Sequence, residues 1–268
     1  MTGSAASSAA STVIAARTPA PPLRGAGRLA WTSFWKLLTN PFSLSFAIAL
    51  PIFMYLMFGA NQEYSGYSVG HANVAATVLV SMAVYGAVMT TSSAGANVSL
   101  ERTSGVTRLF ALTPLSPAAQ ILARVVASLG VSAVVIAVTY VVGAATGAQM
   151  DGPVWALSAV LLVVLSILPA ALGLAAGFAV RSDGAFAATS IVTVLCSFLS
   201  GMFIPLDQMG AFFQHMAPWT PLYGIVQLVQ MPLVGWESFQ WSWVLNYLVW
   251  TAAFAAVAVW GQRRDTGR

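Results

Sequence analysis

The sequence predicts an all-α polytopic membrane protein that crosses the bilayer as six transmembrane helices. Hydrophobic residues make up 58% of the chain and charged residues only 7%. An average soluble chain is roughly a quarter charged, so this composition could not cover a water-facing surface. The apolar residues also occur in runs long enough to cross a bilayer. A length of 268 residues accommodates about six spans of about 20 residues and leaves no stretch large enough for a folded soluble domain.

The N-terminal residues 1–24 are predicted to form a disordered cytoplasmic tail ahead of a membrane domain at 25–268. The tail is rich in Ala, Ser, Thr and Pro, and Pro19, Pro21 and Pro22 break any regular structure. A secretory signal is the alternative, but a positive N-terminal region and an apolar core of adequate length are both missing.

An amphipathic helix is predicted at 27–40. Trp31, Phe34, Trp35 and Leu38 follow the spacing i, i+3, i+4 and i+7, while cations and hydroxyls occupy the other side. Tryptophans beside flanking cations are typical of the membrane interface. The helix should therefore lie at the membrane surface and end before the following proline.

The six predicted spans follow in order along the chain. The first is near the lower limit of length and contains Pro51, so we expect it to be kinked. Each of the others has an apolar run of adequate length. The six runs are 42–58, 73–94, 118–145, 154–180, 185–204 and 241–260.

The basic residues predict the orientation of these spans. The alternate connections 59–72, 146–153 and 205–240 contain no Lys or Arg but carry four acids. By the positive-inside rule both termini should face the cytoplasm. Arginine is preferred over lysine, and Ala, Val and Gly are abundant, which is typical of a bacterial chain, so we expect a bacterial cytoplasmic membrane. The cations outside these connections are Arg17, Arg24, Arg28, Lys36, Arg102, Arg108, Arg124, Arg181, Arg263, Arg264 and Arg268.

Two connections are longer than ordinary loops. The cytoplasmic stretch 99–117 combines charges with helically spaced apolar residues, which predicts a coupling helix that docks a soluble partner. The outer stretch 205–232 is apolar but is cut by prolines into segments too short to span, which predicts a re-entrant helical hairpin. The candidate residues are Glu101, Arg102, Gly105, Arg108, Leu109, Phe110 and Pro114 in the first, and Gly201, Pro205, Pro218, Pro221 and Tyr223 in and beside the second.

These two stretches resemble the ABC-2 family of ABC transporter permeases. The first resembles that family's loop after the second span, approximately E-R-x-x-G-x-x-x-x-L-x-x-x-P-L-S-P, and Leu109 or Phe110 fills its apolar position. The second resembles a G-x-x-x-P-x-x-x-x-P element that leads into a re-entrant hairpin before the last span. The resemblance extends from Arg28 to Arg264, and the loop motif is matched directly by Glu101, Arg102, Gly105, Pro114, Leu115, Ser116 and Pro117.

The resemblance implies a half-transporter that pairs with a second permease, as homodimer or heterodimer. It further implies that two cytoplasmic ATP-binding subunits dock on the loop after the second span and bind ATP and Mg²⁺ themselves. The sequence contains no G-x-x-x-x-G-K-[ST] phosphate loop. By family analogy the direction is export, as for the multidrug, antibiotic and lipid exporters of this family.

Other functional classes are weighed against this interpretation. His71 and His215 fall outside the spans, so we expect no catalytic residue and no metal site. The scattered cations do not favour nucleic-acid binding. An ion-coupled carrier or channel stays open as the alternative, although the spans hold essentially no ionisable group except Arg124, interpreted as a cytoplasmic anchor. An uncharged path favours a hydrophobic or amphipathic substrate. Whether Glu101 and Arg102 are coupling residues or solvated loop charges is also left open.

Overall fold

The computed structural model describes residues 25–106, 115–180 and 184–266, so the predicted tail at 1–24 lies outside the described residues. The described residues form α-helices joined by short turns, with one small β-hairpin. The helices are α1 Ala26–Leu38, α2 Pro41–Tyr55, α3 Val74–Thr103, α4 Pro117–Ala145, α5 Gly152–Leu165, α6 Ile167–Ala179, α7 Gly184–Leu199, α8 Ala211–Met216, α9 Tyr223–Val234 and α10 Trp241–Thr266. A π-helical turn, Leu56–Ala60, follows α2, and 3-10 turns lie at Leu206–Gln208, Ala217–Trp219 and Trp236–Ser238.

Four stretches of helix in the described part of the chain are long and apolar enough to cross a membrane: Val74–Thr103, Ala118–Ala145, Gly152–Ala179 and Trp241–Arg264. The prediction of an all-α polytopic membrane protein is therefore confirmed. The predicted spans at 42–58 and 185–204 fall on shorter apolar helices, Leu44–Ala60 and Gly184–Leu199. The count of six stays a prediction.

The helix α7 ends earlier than predicted because the chain turns sharply at Gly201. Gly201 has φ +78°, a left-handed conformation that glycine adopts without strain. The amide of Gly201 donates to the carbonyl of Phe198 at 3.2 Å, and the amide of Met202 donates to that of Ser197 at 3.2 Å. This pair of hydrogen bonds is the Schellman arrangement that terminates helices. Residues 200–204 therefore lie beyond the helix.

The predicted span at 154–180 consists of two helices, α5 and α6, that meet at Ser166. Pro169 lies in the first turn of α6 and has no amide proton to donate to the carbonyl of Leu165. The hydroxyl of Ser166 donates to the carbonyl of Leu162 at 2.7 Å. A missing backbone hydrogen bond and a hydroxyl bonded back to the helix both favour a bend at this point.

The helix α3 occupies the centre of the bundle and packs most extensively on α6. A methyl group added at Gly173 would overlap the carbonyl of Ser92, and one at Gly95 would overlap the backbone of Gly173. The two backbones touch because neither glycine carries a side chain, as at small-residue crossings in membranes. The helix α3 continues to Thr103, so the first residues of the stretch predicted as a connection, 99–103, belong to this helix.

The start of α3 and the end of α4 are held together by a β-hairpin that the sequence analysis did not predict. Strands β1 Ser68–Val69 and β2 Ala72–Asn73 pair antiparallel, and Ser68 lies opposite Asn73. The side chain of Asn73 caps α3 by accepting from the amide of Ala76 at 2.9 Å. It also accepts from the amide of Gln149 at 3.0 Å. One asparagine thus fixes both the start of α3 and the turn after α4.

Candidate functional site

Glu101 lies in the last turn of α3 and binds two cations that come from different helices. One carboxylate oxygen, Oε1, lies 3.1 Å from Nζ of Lys36 on α1. The other, Oε2, lies 2.7 Å from Nη2 of Arg124 on α4. We call these three residues the Glu101 junction. It ties α1, α3 and α4 together at one end of the bundle, which we call the cationic end.

The two ion pairs differ in exposure and therefore in strength. The side chain of Lys36 is 69% exposed, whereas that of Arg124 is 11% exposed and that of Glu101 is 23% exposed. An exposed pair contributes about 0–1 kcal/mol because water screens both charges. A charge inside an apolar helix is costly unless it is paired. The bond between Arg124 and Glu101 should therefore contribute more to stability than the bond between Lys36 and Glu101.

The structure gives Arg124, interpreted from the sequence as a cytoplasmic anchor, a partner within the chain. Its guanidinium binds a carboxylate of the neighbouring helix, and its role as an anchor stays a prediction. The sequence signal was present, because a charge within an apolar run needs a partner of opposite sign. Glu101 is the acid that precedes this run. Lys36 carried no such signal, since an exposed cation on an amphipathic helix is ordinary.

Arg102, the next residue, binds the end of a fourth helix. Its Nη1 atom donates to the carbonyls of Gly177 at 3.0 Å and Phe178 at 2.7 Å. Both belong to the last turn of α6, where carbonyls lack intrahelical partners and the helix dipole favours a cation. The hydroxyl of Ser99 donates to the carbonyl of Val180 at 2.7 Å. Glu101 and Arg102 are thus both bound within the chain and are not solvated loop charges.

Gly105 ends α3 by adopting φ +76°. Its amide donates to the carbonyl of Arg102 at 3.3 Å, and no atom of the described residues lies within 4 Å of the position that a Cβ would take. The backbone conformation by itself therefore favours glycine at this position. The other predicted coupling residues, Arg108, Leu109, Phe110 and Pro114, lie outside the described residues.

The helix α4 begins at the end of the stretch 101–117 that resembles the ABC-2 loop motif. Ser116 is the N-cap, and its hydroxyl accepts from the amide of Ala119 at 3.2 Å. Pro117 occupies the first helical position, where its missing amide proton costs nothing. The sequence Ser116-Pro117 therefore fixes the point at which the chain re-enters a helix, close to the Glu101 junction.

The predicted hairpin residues lie in the segment between α7 and α9. Pro205 precedes the first 3-10 turn, Pro218 lies within the second, and Pro221 lies in the turn before α9, which begins at Tyr223. Gly201 ends the preceding helix, as described above. The structure thus has short helical pieces between the prolines, and their position relative to a bilayer stays a prediction.

Asn246 on α10 holds this segment together, and the sequence analysis did not single it out. Its Nδ2 donates to the carbonyls of Pro218 at 2.7 Å and Thr220 at 3.1 Å. Its Oδ1 accepts from the amide of Gly224 at 3.1 Å. The signal in the sequence was an asparagine within an otherwise apolar span, where an unpaired amide would be costly.

Among the described residues, no three or more His, Cys, Asp or Glu side chains gather into a group that could hold a metal ion. His71 lies at the end away from the Glu101 junction, and its Nδ1 is 2.9 Å from Oδ2 of Asp151. The backbone amide of Asp151 also donates to the carbonyl of His71 at 3.0 Å. This histidine thus connects the β-hairpin to the start of α5.

A family model described as "ABC-2 family transporter protein" matches residues 61–261, which is well over half of the 268 residues. The match begins just before the β-hairpin and includes Glu101, Arg124, Gly201 and Asn246. No protein of curated function matches the chain. The match confirms the resemblance found in the sequence, and the chain belongs to the ABC-2 family of transporter proteins as a membrane permease.

Proposed function

We propose that the chain is the permease subunit of an ATP-driven exporter in the bacterial cytoplasmic membrane. It pairs with a second permease and docks two cytoplasmic ATP-binding subunits, which hold ATP and Mg²⁺ and supply the hydrolysis. The transported molecule is hydrophobic or amphipathic, such as a drug, an antibiotic or a lipid. Membership of the ABC-2 family implies an ATP-binding partner in general. The copy number, the dimer, the direction and the substrate are parts of this proposal.

The observation that carries the proposal is the Glu101 junction together with Arg102. These neighbouring residues bind α1, α4 and the end of α6. They lie at the start of the connection on which a partner of this family would dock. A displacement of that connection would be transmitted to four helices at once, because packed elements and bound charges move as units. This is the arrangement that mechanical coupling to a separate motor requires.

The proposed topology has six spans and both termini in the cytoplasm. Contacts bring Lys36, Arg102 and Arg124 to the same end of the bundle. The acids Asp151 and Glu237 lie in connections toward the other end, close to the β-hairpin and the end of α9. The connections predicted at that other end, 59–72, 146–153 and 205–240, contain no Lys or Arg, which supports a cytoplasmic cationic end by the positive-inside rule.

The proposed substrate class follows from the side chains in the core. The buried polar residues of α3 and α7 are hydroxyl residues, including Thr91, Ser92, Thr193 and Ser197. Thr91 and Ser92 donate to carbonyls of their own helix, and Thr193 donates to the hydroxyl of Ser92. A hydroxyl carries no charge that could neutralise an ion. A path beside such residues suits a molecule that brings little charge into the membrane.

Reconstitution of the chain with its ATP-binding subunit tests the proposal. Inverted vesicles should accumulate a fluorescent amphipathic dye or a labelled lipid only when ATP is added. A complex in which the ATP-binding subunit cannot hydrolyse ATP is the matched control. Accumulation driven by a proton or sodium gradient without ATP would support the ion-coupled alternative. Transport restricted to small hydrophilic ions would reject the substrate class.

A further inference from the structure

Two small cavities lie between the helices that meet at the Glu101 junction. The junction cavity has a volume of about 40 Å³ and is lined by side chains of α1, α3 and α4, among them Lys36, Glu101 and Arg124. The inner cavity has a volume of about 20 Å³ and lies farther along α3, beside Thr90 and Ser93. A drug-sized molecule needs a pocket of about 300 Å³ or more, whereas roughly 10–15 Å³ is enough for one water molecule. Each cavity therefore has room for water and for nothing much larger.

The linings supply the polar groups that bound water requires, which are two to four hydrogen-bonding partners for each molecule. In the junction cavity the ammonium group of Lys36 and the amide of Asn97 can donate, and the carboxylate of Glu101 can accept. In the inner cavity Ser93 and Asn97 can donate. The hydroxyl of Thr90 can accept there, because its proton is donated to a carbonyl of its own helix.

Ser93 and Asn97 make no side-chain hydrogen bond within the residues that the structure describes. In this part of the chain, the enclosed side-chain atoms without a partner are Oγ of Ser197 and Nε1 of Trp243. The polar atoms of Ser93 and Asn97 are not enclosed in this way, so a molecule of the size of water can reach them. An amide that enters the membrane without a partner is costly. Water is the partner for which the two cavities leave room.

Asn97 lines both cavities. Its carboxamide has two protons to donate and one oxygen to accept, so it can bind water in each of them. The linings extend on α3 from Glu101 to Thr90, which is about three turns of helix, or about 16 Å. Water bound here would carry a polar environment from the cationic end into the bundle.

We propose that both cavities hold water bound by Asn97, and that this water keeps the charges of the Glu101 junction hydrogen-bonded while the attached helices move during coupling. The side chain of Arg124 is only 11% exposed, and a buried charge that loses its partner is costly. Water can bridge groups that a direct hydrogen bond no longer joins. The hydration stands on the geometry alone, whereas its role in coupling rests on the proposed function.

The test is X-ray radiolytic labelling of the purified full-length chain in lipid nanodiscs, in which hydroxyl radicals formed from bound water oxidise neighbouring side chains. Val98 lines the junction cavity and Val131 the inner cavity, and both are almost completely buried. Each should be oxidised several times faster than a buried valine of the same helix that lines neither cavity, which is Val88 on α3 and Val135 on α4. Val141, which is exposed on α4 and covered by lipid in the nanodisc, should also react slowly.

Two substitutions distinguish the cavities. Asn97→Leu removes the shared polar group and should lower the labelling of both Val98 and Val131 to that of the buried controls. Ser93→Val should lower only the labelling of Val131, because Ser93 lines the inner cavity and not the junction cavity. Ser132→Ala removes a buried hydroxyl elsewhere and should change neither. Asn97→Ser keeps a polar group and should retain the labelling, and unfolding temperatures identify any variant that fails to fold.

The outcomes separate the water from its role. If Val98 and Val131 were oxidised no faster than their buried controls, the cavities would be dry and the proposal would be overturned. Unchanged labelling in Asn97→Leu would overturn the assignment of Asn97 as the residue that binds the water. In the reconstituted complex, Asn97→Leu should reduce transport by about tenfold, the size of a typical coupling free energy, while ATP hydrolysis continues. Lost labelling with unchanged transport would confirm the water and overturn its role in coupling, whereas a wild-type complex without ATP-driven transport would overturn the proposed function alone.

Discussion

The carboxylate of Glu101 lies 2.7 Å from the guanidinium of Arg124, and it binds Lys36 on its other side. One acid at the end of α3 therefore holds a nearly buried cation and an exposed one. Lys36 and Arg124 carry the same charge but differ in exposure. Substituting each in turn therefore separates the contribution of a nearly buried ion pair from that of an exposed one.

Arg124→Gln should lower the free energy of unfolding by about 2 kcal/mol, because the loss of a partly buried pair leaves Glu101 with only an exposed partner. Lys36→Gln should lower it by less than about 1 kcal/mol, since its pair is exposed. Thermal unfolding in detergent, followed by tryptophan fluorescence, measures both. Equal losses in the two variants would show that burial does not determine the strength of these pairs.

Coupling should depend on Glu101 separately from ATP hydrolysis. In the reconstituted complex, Glu101→Gln should reduce transport by about tenfold, the size of a typical coupling free energy, while ATP hydrolysis continues. Glu63→Gln is the control, because Glu63 is exposed and belongs to the connection before the β-hairpin. Unchanged transport in Glu101→Gln would remove the assigned role, and a parallel loss of hydrolysis would indicate a docking defect instead.

Gly105 offers a second test of the same connection, based on its φ of +76°. Gly105→Ala should cost about 1–2 kcal/mol, because an alanine is strained in this conformation, and it should reduce coupling. Gly105→Asn should retain more transport, since asparagine tolerates left-handed backbone. Transport assays on both variants give the comparison. The same activity in both would show that the left-handed turn is not required for coupling.

Much of this fold is accessible from the sequence, because apolar runs and proline positions are local signals. The start of α4 at Ser116-Pro117 and the proline-cut segment before α10 follow from such signals. The contacts of the site are not local: Lys36 is 65 residues from Glu101, and no alternation or spacing connects them. The end of α3 was missed because hydroxyls and Asn97 interrupt the apolar run after Ala94. There the helix is stabilised by packing on α6, which a hydropathy window does not register.

The crossing of α3 and α6 should tolerate no side chain at Gly173. A Cβ there would overlap the carbonyl of Ser92, and backbone cannot move aside as a flexible side chain can. Gly173→Ala should therefore destabilise the chain by about 3 kcal/mol. Gly27→Ala in α1 is the control, because a Cβ there meets no atom of the described residues within 4 Å and alanine favours helix. The unfolding temperatures of the two variants are compared with that of the wild-type chain. An unchanged unfolding temperature in Gly173→Ala would contradict the close crossing of α3 and α6.

The proposed topology places Gly105 and Asp207 on opposite faces of the membrane. Single cysteines at these positions, in a chain with Cys196→Ser, should react with a membrane-impermeant maleimide from opposite sides. In intact cells the cysteine at 207 should be labelled and the one at 105 should be protected until the membrane is permeabilised. Labelling of both from the same side would reject the topology and, with it, the proposed docking of ATP-binding subunits.

Asn246 should control the stability of the segment before α9. The amide of Gly224 is one of the unpaired donors at the start of α9, and the N-cap residue Leu222 supplies no side-chain acceptor. The carboxamide oxygen of Asn246 fills this role from α10, while its Nδ2 binds two carbonyls of the preceding turn. Asn246→Leu removes all three hydrogen bonds and should cost about 1–3 kcal/mol of the free energy of unfolding.

Hydrogen exchange measured by mass spectrometry should be faster in Asn246→Leu over residues 218–226 than over other segments. Ser242→Ala, an exposed position on the same helix, should leave exchange there unchanged. Uniform exchange in Asn246→Leu would mean that water or neighbouring groups satisfy these backbone atoms, and that the segment is held by apolar packing alone.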